Sequence, residues 1–521
     1  MNKKLISVLL SIITVITCCS VCAVSSNAKT SAPIPTIYIQ GQGGKLYYDC
    51  NDKDSELIYP LDLNKDILIN YAMSLNNPFA KALATGDWSD WCDTFVGIVT
   101  EIFEPIALDK GGNPVGTTGS LKSSFNINKV NKDGSYDVDK YVFKYDWRLD
   151  AEDVIDELHD NIKTLIKATD AKKVNLIGRC IGANVAVAYL NKYGNDLINN
   201  VILYCFGFDG FDLLGKVYTG EISFDSKAIS RFSDDYLTTN SDFASPETIT
   251  LISDIINIFF ASNASDFTLD ILKSAYAEIY ENIIPRVLRE TYGRYPSFWG
   301  LIGPNYYEKA KNFIFSGYED EYSELIEKTD YFQYNVLTKT REIIDETISN
   351  GTNVYIVAKY GLQIVPVIEE TNIQSDAVLE VSSASGGAVC SSVLGKFSDD
   401  YIQNAKQNGT IKYISPDYQI DSSSAFLPDH TWYIKNCSHM NMPNCVNELF
   451  AELLSSDKYI TVFDNENFPQ YMYFDNEQNK ILPLTPDHPE INPKWKSSVF
   501  SHIISFFKII FNYISKLFSH E

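Results

Sequence analysis

The stretch Val174-Asn175-Leu176-Ile177-Gly178-Arg179-Cys180-Ile181-Gly182-Ala183-Asn184-Val185-Ala186-Val187-Ala188-Tyr189-Leu190 decides how this chain is read. It opens with an apolar run short enough for a buried strand and closes with small residues at helical spacing. The corner between them, Gly178-Arg179-Cys180-Ile181-Gly182, has the spacing of a nucleophile elbow, G-x-S-x-G, with cysteine in place of serine. A strand that turns so sharply into a helix strains the backbone at its apex. Side chains two positions to either side would collide, which explains the glycines. The helix begins at Cys180, and its N-terminal dipole favours an anion there. A thiol so placed has a depressed pKa and more thiolate. Taken alone, the same five residues also fit a buried corner with an inert cysteine, so the partners of an elbow must be sought elsewhere in the chain.

The flanks supply a parallel-sheet pattern. Tyr141 to Tyr145 reads as a strand ending in Asp146-Trp147-Arg148. Ala151 to Thr169 follows as a helix whose apolar face is Val154, Ile155, Leu158, Ile162, Leu165 and Ile166. His159 on that helix reads as surface or packing. After the elbow comes the strand Asn200 to Cys205, and this strand–helix alternation predicts α/β architecture. The first strand, Pro35 to Gln40, runs into Gly41-Gln42-Gly43-Gly44, a turn able to present free backbone N–H groups. In an elbow enzyme such a loop supplies half of the oxyanion hole, and the residue after the nucleophile supplies the rest. Gln42 and Ile181 are the candidates.

Beyond Cys205 the sheet pattern stops and resumes at Asn353 to Ala358. Thr248 to Leu337 is mostly helical in pattern, with a wide apolar face over Leu251, Ile252, Ile255, Ile256, Ile258, Phe259 and Phe260. A helical insertion at about 211–350 is expected to cap the site. The aromatic cluster Asp87-Trp88-Ser89-Asp90-Trp91-Cys92 reads as a lid or as a packed loop.

Elbow hydrolases place nucleophile, acid and histidine in that chain order. After Cys180 the histidines are His430, His439, His488, His502 and His520. His488 sits in a proline-flanked loop, and His502 and His520 lie in a terminal helical pattern. His439 follows the strand Trp432-Tyr433-Ile434 after a short loop, where a catalytic base is expected, whereas His430 precedes that strand. For the acid, Asp417 follows an apparent strand, Ile411 to Ile414, and is the candidate that orients His439. Asp421 is a nearby alternative and Asp376 a more distant one.

The ends and the composition bound the setting. Residues 1–28 read as a signal peptide: basic Lys3 and Lys4, an apolar region from Leu5 to Val24, and a small-residue cleavage site at Ser26-Asn27-Ala28. An uncleaved anchor, or lipid at Cys18 or Cys22, is the lesser alternative. The mature protein is expected to be secreted or held at the cell surface, in an oxidising setting. The formal charge of −24 argues against nucleic acid as a partner. Outside the signal segment lie Cys50, Cys92, Cys180, Cys205, Cys390, Cys437 and Cys445, an odd count that leaves at least one thiol unpaired, with Cys180 the natural candidate. Cys437 and Cys445 are close enough to close a small loop. No metal constellation and no cofactor motif is visible. Residues 457–494 form a Pro-punctuated extension in which Tyr459 to Phe463 and Gln470 to Tyr473 read as short strands. The segment 495–521 is an amphipathic helix expected to lie at a membrane surface, or else to dock on protein.

In order along the chain, the early strand with Gly41-Gln42-Gly43-Gly44, Tyr145-Asp146-Trp147-Arg148, the elbow, Tyr360-Gly361, Asp417-Tyr418-Gln419-Ile420-Asp421 and His439 resemble the lecithin:cholesterol acyltransferase family. The resemblance covers most of residues 34–445. It implies an α/β-hydrolase fold in residues 34–456, with a mostly parallel central sheet and a helical cap. It also implies an acyl-enzyme intermediate on lipid esters, with Asp417 as the acid and Gln42 as the oxyanion donor. The chain departs from the family pattern in carrying Cys180 for serine and Tyr418 for the glycine after the acid. The expected function is acyl hydrolysis or transfer through Cys180, His439 and Asp417, without a cofactor, on a lipid or other acyl ester or amide. The alternative is a hydrolase-like lipid-binding protein without turnover.

Overall fold

Eight strands build the central sheet of the computed structural model: β1 (Thr36–Ile39), β2 (Val142–Phe143), β3 (Val174–Arg179), β4 (Ile198–Tyr204), β5 (Asn353–Tyr360), β6 (Thr431–Lys435), β7 (Tyr471–Asp475) and β8 (Lys480–Pro483). The described residues are 34–61, 65–121, 141–222, 282–456 and 458–486. The segments expected to be a signal peptide (1–28), an apolar cap face (251–260) and a terminal amphipathic helix (495–521) lie outside them. No helix among the described residues is long and apolar enough to cross a membrane.

The strand order is β2-β1-β3-β4-β5-β6-β7-β8. All pairs are parallel except the terminal β7–β8 hairpin. The chain runs from β1 outward to β2, then returns past β1 to β3 and continues the other way. Connections leaving β1 and β3 therefore diverge, and such a switch point opens a crevice at the carboxyl ends of the two strands. The glycine turn after β1 and the elbow after β3 sit on either side of it.

Helices cover both faces of the sheet, as a parallel sheet requires. In α1 (Ala151–Thr169), Asp150 caps the N-terminus by accepting from the Glu152 N–H, and the face expected from the sequence is buried. His159 stacks on Tyr193 at 3.9 Å and bonds the Tyr189 hydroxyl, a packing role. The helix after the elbow, α2 (Ile181–Tyr193), is buried from Ile181 through Leu190, so its small residues serve close approach on every side. Between β4 and β5 the described chain is helical: Asp212–Tyr218, Ile284–Glu290, Pro304–Phe315, Ser323–Asn335 and α3 (Thr340–Ser349), with shorter turns between them. The Trp88–Trp91 cluster opens the helix Ser89–Phe103 and packs with Phe79 and Phe95 into a small separate core.

Two expected strands do not form. Ile411–Tyr413 is a 3-10 turn. The segment from Tyr459 is packed irregular chain, with the Tyr459 ring stacked 3.5 Å from that of His430. All seven cysteines from Cys50 to Cys445 are unbridged, Cys437 and Cys445 included. Both of these thiols are buried, Cys437 against the Asn441 carbonyl and Cys445 at the start of the helix Val446–Ser455.

Gly182 sets how tightly the elbow is built. A Cβ there would lie 2.3 Å from the Ile39 carbonyl oxygen and 2.4 Å from that of Gln40, both backbone atoms that cannot swing away. Gly182→Ala is expected to part α2 from β1 and to cost about 3 kcal/mol or more. Gly97→Ala is the control, because a Cβ at this helical position meets nothing within 4 Å; it should leave stability unchanged or raise it by about 0.5–1 kcal/mol. Urea denaturation of the two variants checks both values.

Candidate active site

Cys180 stands at the apex of the turn between β3 and α2 with φ 51° and ψ −122°. This left-handed backbone is costly for a residue with a Cβ and persists only where its surroundings enforce it. The enforcement comes from both glycines of the elbow: a Cβ on Gly178 would lie 2.6 Å from the Ala183 Cα. On the other side of the switch point Gly41 presses against the nucleophile position, its would-be Cβ 3.1 Å from the Cys180 Cβ. The backbone N–H of Ile181 points at the Cys180 sulfur.

The imidazole of His439 lies on the loop after β6, beside the Cys180 thiol and close enough for each to shift the other's titration. Its Nδ1 meets the Oδ2 of Asp376 at 2.7 Å, and the His439 backbone N–H donates to the Asp376 carbonyl at 2.8 Å. The second carboxylate oxygen of Asp376 accepts from the N–H groups of Val378 and Leu379, at 3.1 and 2.8 Å. One oxygen is thus fixed by its own loop and the other faces the ring. All three side chains are buried: Cys180 is 8% exposed, His439 3% and Asp376 1%. Phe211 closes on the imidazole edge-to-face at 5.7 Å.

Asp417, the acid expected from the sequence, is elsewhere. Its Oδ2 accepts from the Lys435 ammonium at 2.7 Å and from the Tyr360 hydroxyl at 3.3 Å, and its Oδ1 from the Ser415 hydroxyl at 2.5 Å. The reason is topological. With Ile411–Tyr413 a 3-10 turn, Asp417 follows no strand of the central sheet, and the sheet strand before β6, the histidine's own, is β5. The loop after β5 carries Asp376, and β5 pairs directly with β6, whose loop carries His439. Asp421 is also spent elsewhere, accepting from the Tyr401 hydroxyl and the Ser423 N–H. His430 stays at the opposite end of β6 with its Nδ1 on the Ile460 carbonyl.

Electrostatics follow from this geometry. Burial opposes charge on all three groups, but neighbours outweigh it. For Cys180 the His439 ring, the Arg179 guanidinium and the Ile181 N–H pull the thiol below its ordinary value. For His439 the Asp376 carboxylate and then the Cys180 sulfur raise the imidazole to about 9. For Asp376 the His439 ring, the Lys359 ammonium and the Leu379 N–H hold the carboxyl low. These directions favour a thiolate–imidazolium pair over two neutral groups.

The motif Tyr145-Asp146-Trp147-Arg148 acts through its alternation. Tyr145 and Trp147 donate to the carbonyls of Gln40 and Gly44, at 2.7 and 3.0 Å, and so clamp the turn beside Cys180. Asp146 and Arg148 pair with each other in the core beneath. Gln42 lies in the clamped turn, and its side-chain amide nitrogen is buried with no partner.

Cys205, read from the sequence as the end of a strand, lies against the site with a left-handed φ of 52°. Its sulfur is within 4.8 Å of donor atoms of Asp376 and His439. A cation there would compete with the Asp376–His439 bond for the imidazole nitrogen, and burial pushes the Cys205 thiol far toward its protonated form. These donors suit an acid–histidine pair backed by a neutral thiol better than a metal site.

The architecture is that of the α/β hydrolases: a mostly parallel sheet, an elbow after β3, and an acid and a histidine on the loops after β5 and β6. No protein-family model matches the chain. No curated protein matches it either. Among solved structures it is similar to MGS-M2, an α/β hydrolase from a Medee basin deep-sea metagenome library, at 12% identity over 61% of this chain and 79% of that one, with a TM-score of 0.21. It is also similar to the meta-cleavage product hydrolase CumD of Pseudomonas fluorescens IP01, at 13% identity over 47% and 65%, with a TM-score of 0.19. A structure of the Tle4–Tli4 complex matches at 11% identity over 65% and 77%, with a TM-score of 0.24. At such scores none of these carries an argument about site or substrate.

Proposed function

We propose that this protein transfers or hydrolyses acyl groups through a Cys180–His439–Asp376 triad and an acyl-cysteine intermediate. The observation that carries the reading is the 2.7 Å Asp376–His439 bond on an imidazole that lies beside the Cys180 thiol at a strained elbow. The thiolate attacks an ester or amide carbonyl, a C–S bond forms, and the carbonyl electron pair moves to oxygen. The N–H of Ile181 and a donor in the Gln42 turn would hold that oxyanion. His439 then gives its proton to the departing alkoxide or amine as the tetrahedral intermediate collapses. Water, or an acceptor alcohol or amine, gives a proton to neutral His439 as its oxygen or nitrogen bonds the acyl carbon; the C–S bond then breaks, which frees the acyl product and restores the Cys180 thiolate beside the imidazolium. The resemblance to the lecithin:cholesterol acyltransferase family supports lipid esters as substrates. The leader-like residues 1–28 and the amphipathic pattern of 495–521 support export and work at a membrane surface.

One observation favours a second reading, a lipid binder without turnover: the reacting sulfur is almost fully buried. Intact-mass analysis after incubation with short-chain thioesters and lipid esters separates the two. A mass increase mapped to Cys180 and absent from Cys180→Ala is the expected result; no adduct and no turnover on any ester supports the binder.

The pH dependence has a definite sign. Because the Cys180 thiol is lowered and the His439 imidazole raised to about 9, the ion pair persists between the two values. Alkylation of Cys180 by iodoacetamide should therefore have its acidic limb well below the value near 8.5 of a free thiol. Peptide mapping of the alkylated protein from pH 4 to 9 measures that limb.

A further inference from the structure

The loop that carries His439 rests on two cations, a buried Lys359 and a half-buried Arg179, that the acyl-transfer chemistry does not itself call for. Arg179, one residue before the nucleophile, donates from Nη2 to the His439 carbonyl at 2.8 Å. Lys359, in β5 and 1% exposed, donates from Nζ to the carbonyls of Ser438 and Asn441 at 2.9 and 2.7 Å, with the His439 carbonyl 3.5 Å away. The two side chains reach the loop from β3 and β5, on either side of Tyr204 in β4; Arg179 is in register with Tyr204, and the Lys359 ammonium lies 4.6 Å over the Tyr204 ring. The Arg179 Nε is buried with no partner. An ordinary loop can satisfy its carbonyls with water or backbone N–H groups. Burying the Lys359 charge and partly burying that of Arg179 for that purpose is expensive unless they meet opposite charge. The opposite charge is at hand in Cys180 and Asp376, on either side of the imidazole.

We propose that Arg179 and Lys359 are positioning residues: they fix the 438–441 loop so that the His439 ring faces Cys180, while Arg179 favours negative charge on the sulfur and Lys359 favours it on the Asp376 carboxylate behind the ring. The inference rests on the reading of Cys180 as the nucleophile. The arrangement explains how an imidazolium and a thiolate coexist out of water. Three cationic groups, Arg179, Lys359 and His439, enclose two anionic ones, Asp376 and Cys180. When the thiolate attacks, the negative charge moves from sulfur to the nearby oxygen, so the two fixed cations need not move during the reaction. The ionisable groups facing Cys180 are His439, Arg179 and the Tyr145 phenol; Tyr38, Tyr204 and Cys205 face Arg179, and Cys205, Cys437 and Asp376 face Lys359. Each of these five phenols and thiols is neutral when protonated, which leaves the two cations as the fixed charge.

The test is the pH profile of Cys180 alkylation by iodoacetamide in the full chain, followed by peptide mass spectrometry, for wild type, Arg179→Gln, Arg179→Lys and Lys359→Met. Circular dichroism and Tm establish which variants are folded. The acidic limb is expected to move up by about one pH unit or more in Arg179→Gln, to return most of the way in Arg179→Lys, and to move up in Lys359→Met. A merely structural role would change Tm without moving the limb. A limb that stays in place in either folded charge-removing variant overturns the proposal for that residue. Loss of folding in Lys359→Met leaves Arg179→Gln against Arg179→Lys as the deciding pair, and an unfolded Arg179→Gln with a folded, unshifted Arg179→Lys and an unshifted Lys359→Met also overturns it. A wild-type profile with no limb below that of a free thiol refutes Cys180 as the nucleophile. That failure is distinguishable from an unmoved limb in the variants.

Discussion

Asp376→Asn is expected to lower kcat/KM for acyl transfer by on the order of 10³–10⁴-fold, while Asp417→Asn leaves it within about threefold. Asp376 accepts from the His439 Nδ1 at 2.7 Å in a site from which water is excluded. An asparagine can present its amide N–H₂ to the ring in place of an acceptor, which turns the imidazole to the tautomer unable to take a proton from the thiol. The change also removes the largest influence that raises the His439 pKa, so the thiolate–imidazolium pair gives way to two neutral groups. Asp417 touches neither reacting side chain. Its carboxylate ties Lys435 at the end of β6 to the turn at Ser415, so its loss is expected to cost stability instead, about 1.5–3 kcal/mol for charge-assisted hydrogen bonds. Steady-state kinetics on any ester the wild type turns over, with Tm for both variants, checks the contrast. Equal losses of activity in the two would refute the assignment of the acid.

The same pair of aspartates shows where sequence reasoning stopped. The elbow, the strand–helix alternation around it and the choice of His439 over His430 all rest on local pattern, and local pattern is where a sequence speaks clearly. Glycine at 178 and 182 is dictated by backbone approaches of 2.3–2.8 Å, and such approaches leave a mark that one window can show. Membership of a sheet leaves no such mark. Ile411-Lys412-Tyr413-Ile414 has the composition of a short strand, yet it closes a 3-10 turn after the helix Asp399–Asn408. Counting it as a strand moved the expected acid one loop too far along the chain. The signal that would have found Asp376 is the loop after Asn353–Tyr360, the long apolar strand before the histidine strand, with Asp376-Ala377-Val378-Leu379 as a turn in which an aspartate accepts from the next N–H groups. The cations beneath His439 were out of reach for a similar reason. Arg179 and Lys359 lie 180 residues apart in the chain and converge only because β3, β4 and β5 are neighbours.

Asp146→Asn is expected to destabilise the protein by about 3–5 kcal/mol, because it strands a buried guanidinium. Arg148 is wholly buried and its Nε and Nη2 donate to the two oxygens of Asp146, at 2.9 and 2.6 Å; the remaining donors reach the carbonyls of Ile106 and Thr118, at 3.0 and 3.3 Å. The asparagine keeps one acceptor and loses the charge, so the cation remains in the core without its counter-ion. Removing both members, as Asp146→Asn with Arg148→Met, should cost less than the sum of the single changes, since the stranded charge goes with them. Equilibrium urea denaturation of the four species gives the coupling directly. The consequence extends to function through the two residues between and beside the pair. Tyr145 and Trp147 hold the Gln40–Gly44 turn against the nucleophile, and that hold depends on the strand end they share with Asp146 and Arg148. In the double variant the turn is expected to loosen, lowering kcat more than the binding of substrate, because a displaced oxyanion donor is felt mainly in the transition state. A double variant that loses stability but keeps its kcat would show the ion pair to be scaffold alone, with the clamp on the turn carried entirely by the two aromatic residues.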